Sequence, residues 1–581
     1  MSDFKSRYKD LLSTFDLVGS NVQTPKEEAP LATVFEESGL VLNASAGDGV
    51  VFTDIDALAV KFSIPRSSVS QSIARFIAEA SSRGFEWRLL DMSEDRWRNF
   101  LMTDKSPHAY HKALDAFTAQ YNWKTTSDNS LFIIGGNDVI AIPQHVDSFG
   151  YEEYMTDEDY YYGFPLGFDL FEQTSRILVN NDGIEPFELV DHLLSLATFN
   201  VSRLPLDAGT ISQSFGNTVD GYFARVKECD GKIQLNNVLM TTARQWTKAS
   251  HQLSRGLPLV AAPDKAGEIQ GGVYQSPIIN LDRPETLINY TTSLGEANLL
   301  LFNLHGAPDY NVSAYFGDNG DPYHHEQPRA FDIALLDTGR HTVINSMACF
   351  GAKYTHQGRT MLLSSIYRDT LLFAGSSNIS LGCQGCDSAE NTPKYGCSEA
   401  FLRIYTECLM EGIPAGKAFL VAKLYYFADF LGTDGKGPTD LTFREFNLFG
   451  DPTIICNSYS KATKIPRNKY TAPSKYNPKG AIHNAYGITA LSVLDSLLEE
   501  VRAEVDNNLS EISSRLSHYL HNDLGYNDVK FNKVESMISN SKTLGYRFYY
   551  SFAYSFSYSF RGVAIVETNL DGRVESVIYS K

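Results

Sequence analysis

Apolar residues in this chain fall into short unbroken runs that alternate with amphipathic stretches. The clearest runs are Leu299-Leu300-Leu301-Phe302-Asn303-Leu304 and Thr342–Ala348. Their length and aliphatic, β-branched content predict strands buried on both faces. Leu131–Ile142, Arg176–Val179, Phe199–Leu204 and Thr370–Ala374 predict further strands, and Thr453–Cys456 a short closing one. Between them lie helical periods. Ser67–Ala80 carries Val69, Ile73, Phe76 and Ile77 on one face behind Pro65, and Pro186–Thr198 carries Leu189, Leu193, Leu194 and Ala197. Glu399–Met410 and Ala415–Phe427 are two more helices, parted by Gly412-Ile413-Pro414, a stop and a restart. Strands alternating with helices imply an α/β fold: a mostly parallel sheet with helices on both faces.

The pattern changes after residue 457. Residues 458–480 are rich in Lys, Ser, Pro and Asn and predict a linker. Ile488–Leu520 has a long helical period. Then every even position from 546 to 560 is Tyr or Phe, which predicts a β-strand with one aromatic face, either packed on that helix or exposed as a platform for a partner. Asn569–Gly572 turns into a second strand, Arg573–Tyr579. The expected organisation is an N-terminal subdomain or domain over 1–120, a catalytic-size α/β unit over 121–457 in two subdomains, the linker, and a small α+β module over 481–581. The main sheet is expected to be complete before the linker.

Composition narrows the function. The 581 residues carry a formal charge of −19, which disfavours nucleic acid and anionic membrane as partners. The polar start carries no secretory pattern, no apolar stretch is long enough to span a bilayer, and seven cysteines are too few for a disulfide framework. Together these point to a reducing, cytoplasmic setting. Phosphate-loop, zincin and serine-hydrolase motifs are absent from the sequence, and no cofactor is called for.

The candidate chemistry sits where the two clearest runs stop. The first ends at His305-Gly306 and the second at Cys349-Phe350-Gly351. Open α/β sheets place their chemistry at the carboxyl ends of strands. A His and a Cys delivered from neighbouring strand ends make a base and a nucleophile.

That order and context resemble the caspase-like clan of cysteine peptidases, and within it the gingipain family. Three more segments carry the resemblance: Leu131–Pro143 followed by the acidic-aromatic Thr156–Gly163; Phe199–Pro205, with Ser202 in place of the family's Gly; and Leu448-Phe-Gly-Asp-Pro-Thr453. The likeness covers residues 120–457. It implies a caspase- or gingipain-like sheet, endopeptidase activity on protein or peptide substrates, His305 and Cys349 as the dyad, and the backbone N–H groups of Gly306 and Cys349 as the oxyanion hole. It also implies cleavage after Arg or Lys. Gingipains are secreted, so the missing signal is a departure.

Acidic residues that would pair with a basic substrate side chain are Asp387, Glu390, Asp157 and Asp159, with Glu158 adding to the charge and Ser376 in the pocket wall. Asp309 is in sequence reach as a third catalytic residue, or is an ordinary turn Asp. Cys383 and Cys386, with Cys397 and Cys408, are weighed as a zinc site, but the second pair is too widely spaced, so no metal is assigned. Two alternatives stay open: a non-catalytic caspase-like scaffold, and a caspase-like protease of bacterial defence switched on by a regulatory protein partner.

Overall fold

The computed structural model describes most of residues 48–457 and 509–580. The longest stretches outside the described residues are 1–47, 147–154, 165–196, 207–214, 261–268, 276–283, 319–327, 384–397 and 458–508. The strand expected at Arg176–Val179 and nearly all of the helix expected at Pro186–Thr198 fall among these.

One large sheet organises the chain. Its strands are β1 (Gly49–Thr53), β2 (Trp87–Asp91), β3 (Ser130–Ile134), β4 (Asn200–Leu204), β5 (Val238–Thr242), β6 (Ile269–Gln270), β7 (Val273–Gln275), β8 (Leu299–Asn303), β9 (Val343–Ser346), β10 (Leu372–Ser376) and β11 (Phe446–Gly450). Their order across the sheet is β2-β1-β3-β4-β11-β10-β9-β8-β5-β7-β6. The strands from β2 to β11 are mutually parallel, as are those from β10 to β7. The two halves meet antiparallel at β10/β11, Ser376 opposite Phe446 and Leu372 opposite Gly450. The sheet therefore has two carboxyl edges, on opposite sides. The α/β, mostly parallel architecture is as the apolar runs predict. β1 and β2 lie in the first 120 residues, where no strand is predicted, and join the same sheet.

Several elements depart from expectation. The predicted strand Leu131–Ile142 stops at Ile134, because Gly135 turns with φ +130°. Thr453–Cys456 does not close the main sheet. Ile455–Asn457 pairs instead with Glu411–Pro414 and Lys232–Gln234, and β11 is the true last strand. Gly450 ends it at φ +114°, where a Cβ would strike the Leu371 carbonyl. Asp451 follows, buried, paired with Arg83 at 3.1 Å and accepting from Thr453 N–H at 2.9 Å. The Gly-Asp-Pro-Thr segment is a structural clasp at the seam.

At the C-terminus the aromatic alternation is split between two antiparallel strands, Lys542–Tyr554 and Ser557–Asn569, with Tyr554 opposite Ser557. Alternation of period two survives a tight hairpin, so the pattern alone reads as one strand. The aromatic face does pack on a helix: Phe548, Tyr550 and Phe552 are buried with Ile512, Leu516 and Leu520. Tyr550 O–H donates to the Ser513 carbonyl at 3.0 Å. Residues 488–508 of the expected helix lie outside the described residues. The last strand, Val574–Ser580, also pairs with Leu381–Cys383, a segment of the α/β unit.

Candidate active site

β8 and β9 are adjacent and parallel, with Phe302 opposite Ser346. Three residues beyond this pair stand His305 and Cys349, so register alone brings them to the same level at one carboxyl edge. Gly306 packs directly on the backbone of Cys349: a Cβ there would collide with the Cys349 carbonyl oxygen and lie 3.0 Å from its nitrogen. This close approach is why the residue after the histidine is Gly. The Gly306 N–H makes no hydrogen bond to another described residue.

The turn after Cys349 is tight. Phe350 adopts φ +54°, a left-handed conformation that a bulky residue holds only when its surroundings impose it. Those surroundings are visible: Phe350 N–H donates to the Asn378 carbonyl at 2.8 Å, Gly351 N–H to the Ala348 carbonyl at 3.0 Å, and Tyr315 O–H to the Gly351 carbonyl at 3.1 Å. Cys349 Sγ receives the Ser380 N–H at 3.2 Å and lies 3.5 Å from the Ser380 carbonyl. The N–H contact suits a thiolate as well as a thiol. Both His305 and Cys349 are buried, at 2% and 1% exposure.

His305 is held from two sides. Its backbone exchanges both hydrogen bonds with Phe316, at 2.8 and 2.9 Å. Its ring lies 4.5 Å from the Trp246 indole, and its Nε2 is 2.9 Å from the Gln245 side-chain nitrogen.

The acidic segment expected at the cleft is buried, not solvated. Asp159 forms a two-pronged ion pair with Arg203, whose Nη1 also reaches the Gly135 and Ile140 carbonyls. Glu158 pairs with buried Arg444 at 3.0 Å. These two carboxylates already have guanidinium partners. Asp157 differs. Its backbone N–H donates to Ser377 Oγ at 3.1 Å, and its carbonyl accepts from Asn447 at 2.7 Å. Its Oδ1 accepts from Gln144 at 2.8 Å, while its Oδ2 has no hydrogen-bond partner among the described residues. Burial raises its pKa above the usual carboxylate value, and the Lys353 ammonium opposes that shift. Burial likewise lowers the Lys353 pKa, with Asp157 opposing. Through Ser377 and the Thr156–Asn378 bond of 2.7 Å, Asp157 docks on the turn after β10, whose Asn378 carbonyl holds the Phe350 N–H.

Ser376, expected in the wall of a substrate pocket, ends β10, and its hydroxyl donates to the Asn378 carbonyl at 2.8 Å. Asp309, Asp387, Glu390 and Cys386 lie outside the described residues. Among the described residues no cluster of His, Cys, Asp and Glu could hold a metal, and Cys229, Cys349, Cys408 and Cys456 are free thiols. No helix among them is long and apolar enough to cross a membrane. Gln245, Trp246 and Ser380 escape a reading of the sequence by motif. Gln245 and Trp246 follow the apolar run Val238–Thr242, and Ser380 follows β10, so the strand-end rule that found His305 would reach them too.

The sequence matches no family profile and no curated protein. Among solved structures the chain is similar to one described as "Structure of Protease", at 10% identity and a TM-score of 0.43, covering 93% of this chain and 98% of that one. At that score the reading of the site stands on its own geometry.

Proposed function

We propose that the chain is a cysteine endopeptidase in which Cys349 attacks the scissile carbonyl and His305 moves the proton. The observation that carries this reading is the strand register that levels His305 with Cys349 and seats Gly306 on the Cys349 backbone. Gly306 and Cys349 N–H then serve as the oxyanion hole. The order of the segments and their likeness to gingipains support the same assignment. The free thiols support a reducing compartment.

Cleavage after Arg, and more weakly Lys, is the specificity we infer. Asp157 supports it, as a buried carboxylate with one oxygen unmatched beside the cysteine turn. A guanidinium supplies the bidentate partner it lacks. Asp387 and Glu390 remain candidates for the same pocket, and Asp159 contributes through the segment it anchors. The burial of both dyad residues favours an enzyme that opens before it cuts, as one switched on by a partner protein would.

The test is a peptide-library cleavage profile combined with labelling by an iodoacetamide probe. The expected result is cleavage after Arg and labelling that disappears in Cys349→Ala. Labelling without cleavage of any peptide, in the presence or absence of cell extract, would sink the peptidase reading in favour of a scaffold.

A further inference from the structure

We propose that Gln245 orients the His305 imidazole for proton transfer, and that Asp318 holds Gln245 in place; this rests on His305 being the acid–base of the proposed peptidase. β5 is the next parallel neighbour of β8, so the turn after it, Arg244–Trp246, arrives beside His305 at the same carboxyl edge. The Gln245 backbone N–H donates to the Asp318 carboxylate at 3.1 Å. Asp318 lies two residues beyond Phe316, and Phe316 is bonded twice to the His305 backbone. Residues 245, 305, 316 and 318 thus close a ring around the imidazole. Asp318 is 1% exposed, so its hold on the Gln245 backbone is made out of water and is strong for its length. Trp246 stacks obliquely on the imidazole and removes its other freedom.

An amide suits this place for a chemical reason. With the amide turned so that its oxygen faces Nε2, its carbonyl accepts from Nε2–H in both the neutral and the protonated ring, so the neutral ring keeps its lone pair on Nδ1. A carboxylate in the same position would instead favour imidazolium by charge. With Nε2 engaged, Nδ1 carries the traffic. The Cys349 S–H proton passes to Nδ1 as sulfur bonds the carbonyl carbon. When the tetrahedral adduct collapses and the C–N bond breaks, that proton leaves Nδ1 for the departing amine. Water then releases the acyl group from sulfur, and the thiol is restored. Gln245 touches neither substrate nor sulfur in this scheme and is a positioning residue.

The experiment uses the full chain with 15N-labelled histidine. In the native protein the His305 ring should show one dominant neutral tautomer; in Gln245→Ala the two ring nitrogens should move toward equal shifts. Gln245→Glu, whose carboxylate favours imidazolium, should instead bring both ring nitrogens to the shifts of the doubly protonated ring up to a higher pH than in the native protein. In parallel, kcat on an Arg peptide should fall about 10- to 100-fold in Gln245→Ala with KM nearly unchanged, within the range of a misplaced general acid–base. Asp318→Asn should give a smaller loss of the same kind, and it replaces Gln245→Ala should that variant fail to fold. An unchanged tautomer ratio, or unchanged kcat, in a folded variant overturns the proposal. The spectra need no turnover, so a chain that cuts no peptide still tests the ring, and a chain that cuts peptides with undiminished kcat in Gln245→Ala discards the ring alone.

Discussion

The two halves of the sheet obey one construction rule and put it to different uses. In the first half, strand ends are spent on structure. Asp54 caps the helix Ile55–Phe62 by accepting from Ala57 N–H, and Asp91 accepts from Ile55 N–H at 3.0 Å while pairing with Arg66 at 2.9 Å. Arg203 is consumed by Asp159 and two carbonyls. In the second half, strand ends deliver Gln245, His305, Cys349 and Ser380 to one another, with a strained Phe350 fixing the turn. Because the halves run antiparallel at β10/β11, their carboxyl edges face opposite ways, and among the described residues the proposed dyad lies at one of them. A strand end is therefore an opportunity. In the first half its polar groups go to helix caps and ion pairs; in the proposed site they meet side chains from neighbouring strand ends.

The largest expected contrast tests that difference. Cys349→Ala should abolish cleavage with little change in melting temperature, since one small buried sulfur contributes less packing than a Leu. His305→Ala should lower turnover roughly 10²- to 10⁴-fold. Asp91→Ala should do the reverse: it leaves the Ile55 N–H at a helix start without its acceptor and removes one of the two carboxylates paired with Arg66, so stability falls by about 1–3 kcal/mol while kcat holds. Thermal melts and turnover on the three variants check this. Loss of folding in Cys349→Ala, or loss of turnover in Asp91→Ala, would erase the distinction between the halves.

Much of the second half was legible because β8 and β9 are continuous apolar runs ending in Gly, and a buried parallel strand has few other ways to be written. The first half was harder. β1 is Gly-Val-Val-Phe-Thr, too short to separate from a buried helix turn, and β2 carries Arg88 amid apolar neighbours. The acidic segment Asp157–Asp159 read as charge for a basic substrate side chain because composition sees three carboxylates and not the Arg203 and Arg444 folded against two of them from 44 and 286 residues away. The hairpin at Tyr554/Ser557 was invisible for a related reason: its alternation never breaks, and no Gly or Pro marks it. Long-range pairing of charges, and strand pairing between distant segments, leave no local pattern.

A second contrast separates the neighbouring carboxylates. Arg203→Met should destabilise the fold by roughly 3–5 kcal/mol, because it leaves Asp159 buried and unmatched; adding Asp159→Leu should recover much of that loss. Denaturant titration of the single and double variants measures it, and an Arg203→Met protein as stable as the parent would show that the pair is not structural. Asp157→Asn should cost little stability but raise KM for Arg peptides about 10- to 100-fold, the value of a charge-assisted hydrogen bond, with neutral peptides unaffected. The pH dependence follows from burial. The Asp157 pKa is raised, so the carboxylate takes up its proton at a higher pH than a free one, and KM for Arg peptides should climb as pH falls through that value. Stability linked to this group moves the opposite way, since the folded state then binds the proton more readily than the unfolded one. A KM that is flat with pH, or equally steep in Asp157→Asn, would remove Asp157 from the pocket.

The smallest expected effect asks whether the second half works alone. Leu381 directly follows Ser380, whose N–H meets Cys349 Sγ, and Leu381 is paired with Ser580 at the end of the chain. The pairing of Val574–Ser580 with Ser557–Asn569 runs from Val574 to Tyr579, so Ser580 faces only the α/β unit. Ser580→Pro therefore weakens the link between the C-terminal sheet and the cysteine turn while leaving the module's own ladder in place. Ser398 O–H still holds the Leu381 carbonyl at 2.9 Å, so the turn should loosen without collapsing. Loss of about one ladder hydrogen bond predicts a 2- to 10-fold fall in kcat/KM, together with faster amide exchange at 377–383. Unchanged exchange and unchanged turnover would mean that the two sheets share a strand pair but not a function; a fall in turnover far beyond tenfold would mean that the C-terminal sheet is part of the catalytic unit.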